Sequence, residues 1–196
     1  MKSSNGIKKI LALILLCGGV LLSLCAQSTG RNNLSLSSAL TFQKIYYKNS
    51  EYENRFTIGP GLNVKYEYLT KHNSYLGLSL SYEVFRYNDF YGYDDLKLAA
   101  GIRRQLLSFG SGADVNIDLY YLAGTGFDFV FRNDGDSERY PYFVAGLLLD
   151  TQVYKEIDFI FKVTAGITLQ RGSVVLHTGT QMGILIRLDD LKGESR

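Results

Sequence analysis

Cysteine, proline, histidine and tryptophan are scarce in this chain of 196 residues: two, two, two and none respectively. Both cysteines, Cys17 and Cys25, stand within the first 26 residues, so a chain processed after them has no disulfide and no thiolate zinc site. Pro60 and Pro141 are the only prolines, which leaves long stretches able to donate every backbone N–H to a sheet. Long apolar runs are missing too. The one present, 10–24, is 15 residues long, short of the ~20 that cross a bilayer as a helix. Charge of one sign is also lacking. The formal +2 includes Lys2, Lys8 and Lys9, and without them 21 basic residues become 18 against 19 acidic, which excludes the basic surface of a nucleic-acid binder.

The basic start, the apolar run and the small residues Ser23, Cys25 and Ala26 before Gln27 form a secretory signal peptide over 1–26, cleaved after 25 or 26. Acylation of Cys25 is disfavoured, because Leu24 occupies the place where lipoprotein signals carry a small residue. Residues 27–188 are expected to form one domain, followed by a short polar periplasmic tail, 189–196.

Within that domain apolar residues repeat with period two in eight successive segments, which reads as strands. In the first, Leu34, Leu36, Leu40 and Phe42 alternate with Ser35, Ser37, Ala39, Thr41 and Gln43. In the seventh, Phe159, Phe161, Val163, Ala165, Ile167 and Leu169 alternate with Lys162, Thr164, Gly166, Thr168 and Gln170. The connections run long, short, long, short: 44–55, 69–74, 86–95, 107–113, 132–139, 154–158 and 171–173. Only the last breaks that order.

A soluble barrel alternates as well, with its apolar side inward. The residues on the polar parity decide between the two. Gly59, Gly61, Gly77, Ser79, Ser81, Gly101, Gly124, Gly126, Gly146, Gly166, Gly179 and Gly183 are small, as a crowded eight-stranded lumen requires and a water-facing surface does not. The apolar parity has no charge over the middle of each strand, where a lysine or arginine facing lipid would cost ~2–4 kcal/mol. Aromatic residues gather near strand ends as two interfacial girdles: Phe42, Phe56, Phe129, Phe131 and Phe143 toward the loops; Tyr66, Tyr68, Tyr75, Tyr154 and Phe159 toward the turns. The fold expected is therefore all-β: a single closed antiparallel up-and-down transmembrane barrel of about eight strands.

The chain resembles the small outer-membrane β-barrel superfamily that includes the OmpA transmembrane domain and OmpX. Gln181, Gly183, Ile186 and Leu188 are similar to that superfamily's C-terminal assembly signal, although Leu188 stands in the usual aromatic place and a tail follows it. The resemblance implies the outer membrane of a Gram-negative bacterium, with lipid, lipopolysaccharide and the barrel-insertion machinery as partners, and a monomer.

Residues suited to chemistry are few. His177 falls on the lumen parity of the last strand, away from the lipid face that a lipid-modifying enzyme would use, and His72 falls in a short turn. Asn133, Asp134, Gly135, Asp136 and Glu138 share part of a calcium-loop pattern without its closing glutamate, so no metal or cofactor is expected. The outer loops supply the ligand-binding candidates Tyr46, Tyr47, Tyr52, Tyr91 and Tyr93. The charged lumen residues have mixed signs, and a turn centred on Glu156 would set Asp150 opposite Lys162 as a lumen ion pair. These features point to a non-enzymatic, structural or surface-interaction barrel; the alternatives are a lipid-modifying barrel enzyme and a narrow pore.

Overall fold

The computed structural model describes residues 32–48, 55–70, 74–86, 92–110, 116–132 and 136–188. The signal segment 1–26 and the tail 189–196 lie outside the described residues. The strands are β1 (Asn32–Tyr47), β2 (Arg55–Leu69), β3 (Ser74–Arg86), β4 (Gly92–Gly110), β5 (Asn116–Arg132), β6 (Ser137–Gln152), β7 (Ile157–Gln170) and β8 (Ser173–Arg187). Each pairs antiparallel with its neighbours in sequence. β8 also pairs with β1, from Asn33 opposite Arg187 to Tyr47 opposite Ser173, and this seam closes the barrel.

Side chains on the apolar parity point outward and stay exposed, among them Leu36, Phe56, Leu62, Phe143 and Val163. The opposite parity is buried, although most of it is polar: Ser35, Ser37, Thr41, Gln43, Asn63, Glu67 and Thr168 all face the lumen. The usual arrangement of a water-soluble domain is thus inverted. An apolar lumen cluster of Tyr120, Leu122, Leu148, Ile160 and Leu185 fills the inner half, the half nearer the chain ends.

Several strands outrun their sequence-based limits. β4 begins at Gly92 rather than Leu96, and β4 and β5 pair as far as Gly110 opposite Asn116, past an irregularity between Gln105 and Leu107. A bulge accommodates one extra residue, Leu106, so apolar alternation is lost there while pairing continues. At the outer end of the last hairpin, Gly172 takes φ +78°, a conformation that favours glycine, and its carbonyl accepts from Lys48 N at 2.8 Å.

The expected facing of Asp150 and Lys162 is corrected. Val153 and Tyr154 both donate to the carbonyl of Ile157, at 3.1 and 2.9 Å, which centres the turn on residue 155. Moving a hairpin centre by one residue moves every partner by two. Asp150 therefore faces Ile160, and Lys162 faces Leu148.

Closure brings backbones close where the lumen parity carries glycine. A Cβ on Gly126 would lie 1.9 Å from the carbonyl oxygen of Leu98, and one on Gly183 would lie 2.1 Å from that of Leu36, across the β1–β8 seam. Backbone cannot yield as a flexible side-chain tip can. Gly126→Val is therefore expected to lower the fraction that reaches the compact, heat-sensitive form on gels several-fold, whereas Ser38→Val on the exposed outer face leaves it unchanged. Equal yields would show that the close approach does not limit folding.

Candidate functional site

The lumen holds two charged clusters, one toward each end. The inner one is built around Arg103 of β4, buried to 1% exposure. Its Nε lies 3.0 Å from Glu67 Oε2, and its Nη1 lies 3.3 Å from Asp150 Oδ2. The rings of Tyr75 and Tyr120 flank the guanidinium at 4.1 and 4.3 Å from their centroids. A planar guanidinium stacks and pairs at the same time, which lysine's ammonium cannot do. Lys65 reaches Glu67 at 2.5 Å, Arg187 binds Asp158 through Nε and Nη2 at 3.0 and 2.9 Å, and Lys162 donates to Asn63 at 3.2 Å. Three carboxylates meet four cations here, and Asp118, which accepts from Gln105 at 2.9 Å and from Tyr120 at 3.4 Å, adds a fourth carboxylate at the inner end.

The outer cluster has an acidic excess. Lys97, from β4, lies 2.5 Å from Glu83 and 3.5 Å from Asp95, and the buried Asp128 lies 4.0 Å from His177 in the same part of the lumen, so three carboxylates share one ammonium. A directed chain of hydrogen bonds crosses the lumen through His177 of β8. Tyr93 donates to Gln43 Oε1, which fixes the amide; Gln43 Nε2 then donates to Asp95 Oδ2 at 2.8 Å and to His177 Nδ1 at 3.1 Å. With Nδ1 accepting, His177 Nε2–H donates to Thr168 Oγ1 at 2.8 Å, and Thr168 donates to Asp128 Oδ2 at 2.8 Å. These six groups come from five strands, β1, β4, β5, β7 and β8, with Tyr93 and Asp95 both on β4.

Between the clusters lies a cavity of about 60 Å³ bordered by Glu83, Lys97, Tyr142, Lys162 and His177. It has room for a few waters.

The outer rim, on the lipid side, carries cations backed by rings. Lys44 sits 4.9 Å from the centroid of Tyr46, and Arg139 sits 4.9 Å from that of Phe127. Arg86 and Tyr82 converge on Asp94 at 3.0 and 2.8 Å.

Tyr46 and Tyr47 do end β1 at the outer rim, while Tyr52 and Tyr91 lie outside the described residues. Tyr93, an outer-loop candidate, instead turns into the lumen and stacks on Phe85 at 5.3 Å. Tyr75, expected in a girdle, lines the lumen beside Arg103. The Asp150–Lys162 ion pair is replaced by Asp150–Arg103 and by Lys162–Asn63. Of the calcium-like stretch, Asn133, Asp134 and Gly135 lie outside the described residues, and Glu138 takes Arg132 at 2.7 Å. Gln181 accepts from Ser37 at 3.3 Å, Gly183 sits on the seam, Ile186 faces outward at the end of β8 and Leu188 follows it. Asp95 and Asp158 were missed as lumen residues, yet both continue the parity of Lys97 and Lys162.

Sequence comparison finds no match among protein-family models or curated proteins. Structure comparison is different. Neisserial surface protein A matches with a TM-score of 0.55 at 11% identity, over 79% of this chain and 96% of that one. The outer-membrane protein OprG of Pseudomonas aeruginosa matches at 0.48 and 10% identity over 80% and 95%, and the attachment invasion locus protein Ail of Yersinia pestis at 0.45 and 14% over 79% and 99%. The chain has the fold of the small outer-membrane barrels. Its closed hydrogen bonding and the uncharged middle of its outer face meet what hydrocarbon demands of a spanning sheet.

Removing Arg103 from this barrel leaves Asp150 without its cation and Glu67 with Lys65 alone. Arg103→Met is expected to lower the unfolding free energy in urea by about 3–5 kcal/mol, the cost of leaving a buried charge without its partner. Adding Asp150→Asn, which removes the carboxylate left unpaired, should recover a large part of the loss. A loss within experimental error for Arg103→Met alone would contradict the network.

Proposed function

We propose that this barrel is a non-enzymatic surface protein that engages lipopolysaccharide at its outer rim and presents its external loops outside the cell. The observation that carries the reading is the pair of outward cations held over rings, Lys44 on Tyr46 and Arg139 on Phe127, at the level of the outer interface. An ammonium or guanidinium fixed by an aromatic face is placed to meet the phosphates of lipid A while its aliphatic stem lies against apolar surface. Tyr46 and Tyr47 continue this rim toward the loops. The filled lumen supports a role at the outside rather than through the middle. His177 supports the non-enzymatic reading, since it is buried on the lumen side, away from any lipid bond that could be cut.

At the other end, Gly183, Ile186 and Leu188 are proposed to serve assembly by the insertion machinery. Gly183 has a second task there, the tight β1–β8 approach, so Leu188 is the cleaner position at which to separate recognition from packing.

The rim is tested by adding purified lipopolysaccharide to the detergent-folded protein and measuring the temperature at which the compact form is lost on gels. Wild type is expected to gain several degrees, and the Lys44→Gln, Arg139→Gln double variant to lose most of that gain. Equal gains in both would remove the lipopolysaccharide reading. Lipid A masses from cells with and without the protein should be identical; a changed acyl or phosphate mass would convert the reading to that of an enzyme.

A further inference from the structure

We propose that the outer lumen cluster binds one divalent transition-metal cation through Glu83, Asp95 and the Nδ1 of His177. One donor atom from each residue can be chosen so that all three lie within 4.8 Å of one another, and all three residues are buried. Tetrahedral zinc with bonds of ~2.0–2.1 Å sets its ligands about 3.3 Å apart, so side-chain rotation alone has to close the remaining gap.

Three further observations bear on a cation. The first is charge. Glu83, Asp95 and Asp128 face Lys97 alone, and one divalent ion together with Lys97 would match three carboxylates in a place where unbalanced charge is costly.

The second is orphaned oxygen. Asp95 Oδ1 and Asp128 Oδ1 are buried in side chains only 1% exposed, and neither accepts a hydrogen bond among the described residues.

The third is the orientation of the imidazole. His177 donates from Nε2 through Thr168 to the Asp128 carboxylate, which leaves the Nδ1 lone pair to Gln43 Nε2, the nitrogen that also donates to Asp95 Oδ2. Histidines that bind metals are held in this way by a partner on the other ring nitrogen. The Gln43 amide nitrogen now lies between Asp95 Oδ2 and His177 Nδ1, at 2.8 and 3.1 Å, donating to two groups that a cation would also draw together. A bound ion displaces that amide. The adjoining cavity of about 60 Å³ has room for its water ligand.

The donor set selects the class of ion. One imidazole with two carboxylates suits zinc and its first-row neighbours, whereas calcium takes six to eight oxygens that this cluster does not offer.

The test uses metal-stripped, untagged protein carrying His72→Gln and folded in detergent, so that His177 is its sole imidazole. Calorimetric titration with zinc is expected to show one ion per barrel at micromolar affinity or better, with calcium and magnesium far weaker. His177→Gln and Asp95→Asn should each weaken zinc by more than about ten-fold, while Asp118→Asn at the inner rim leaves it unchanged. Failure of the parent to take up zinc, calcium or magnesium binding as tightly as zinc, or unchanged affinity in either variant overturns the site. Should a variant not fold, the zinc absorption edge of the parent decides: one nitrogen among oxygen donors supports the site, and an all-oxygen shell overturns it.

Discussion

In hydrocarbon a backbone amide has no water to bond with, and this constraint governs the rest of the structure. Every strand must have two partners, so β8 has to return to β1, and a circle of eight strands leaves an interior only wide enough for side chains. The glycines and serines of the lumen parity follow from that width, and the leucines and phenylalanines of the other parity follow from the lipid around it. The β1–β8 seam shows how tight the solution is, because Gly183 lies against the backbone of Leu36 and Ser37 with no space for a Cβ.

An interior formed in this way cannot be apolar throughout, since long charged side chains on the lumen parity have nowhere else to go. They settle into two clusters, one toward each end, and only the outer one has a clear excess of one sign. Arg103 organises the inner one, pairing with carboxylates from β2 and β6 and stacking on rings from β3 and β5. Such a set of contacts spans the barrel from wall to wall and is satisfied in one register only. Buried ion pairs contribute little net stability compared with apolar packing, and fixing the register is the role that accounts best for retaining them here. In the outer cluster, acidic excess and a histidine oriented through Thr168 give the interior a chemical character that the inner half lacks.

The legibility of the sequence divides along the same lines. Parity was readable because it is a local property with period two, enforced on every residue of every strand, and all eight strands, their closure and the direction of His177, Asp150 and Lys162 could be anticipated from it. Register was not readable, since a turn one residue off displaces partners by two, and the turn at 153–156 has no glycine or proline to mark its centre. Partners across the lumen were beyond reach for a related reason: Arg103 meets Asp150 over 47 positions of sequence, through space that only closure creates. Strand ends were misjudged where polar residues continued the lumen parity, as at Tyr93, Asp95 and Asp158. Polarity at a strand end reads as loop, although in this fold polarity on one parity marks the inside.

Side chains from every strand fill the lumen around a cavity of about 60 Å³ between the two clusters, and this filling is expected to close the barrel to ions. Single-channel recording of the purified barrel in planar bilayers tests this most directly. A baseline without conductance steps in concentrated potassium chloride at moderate voltage is the predicted result. Steady, reproducible open levels from the intact protein would contradict it, for they would mean that water and ions pass where Arg103, Lys97 and their partners are placed.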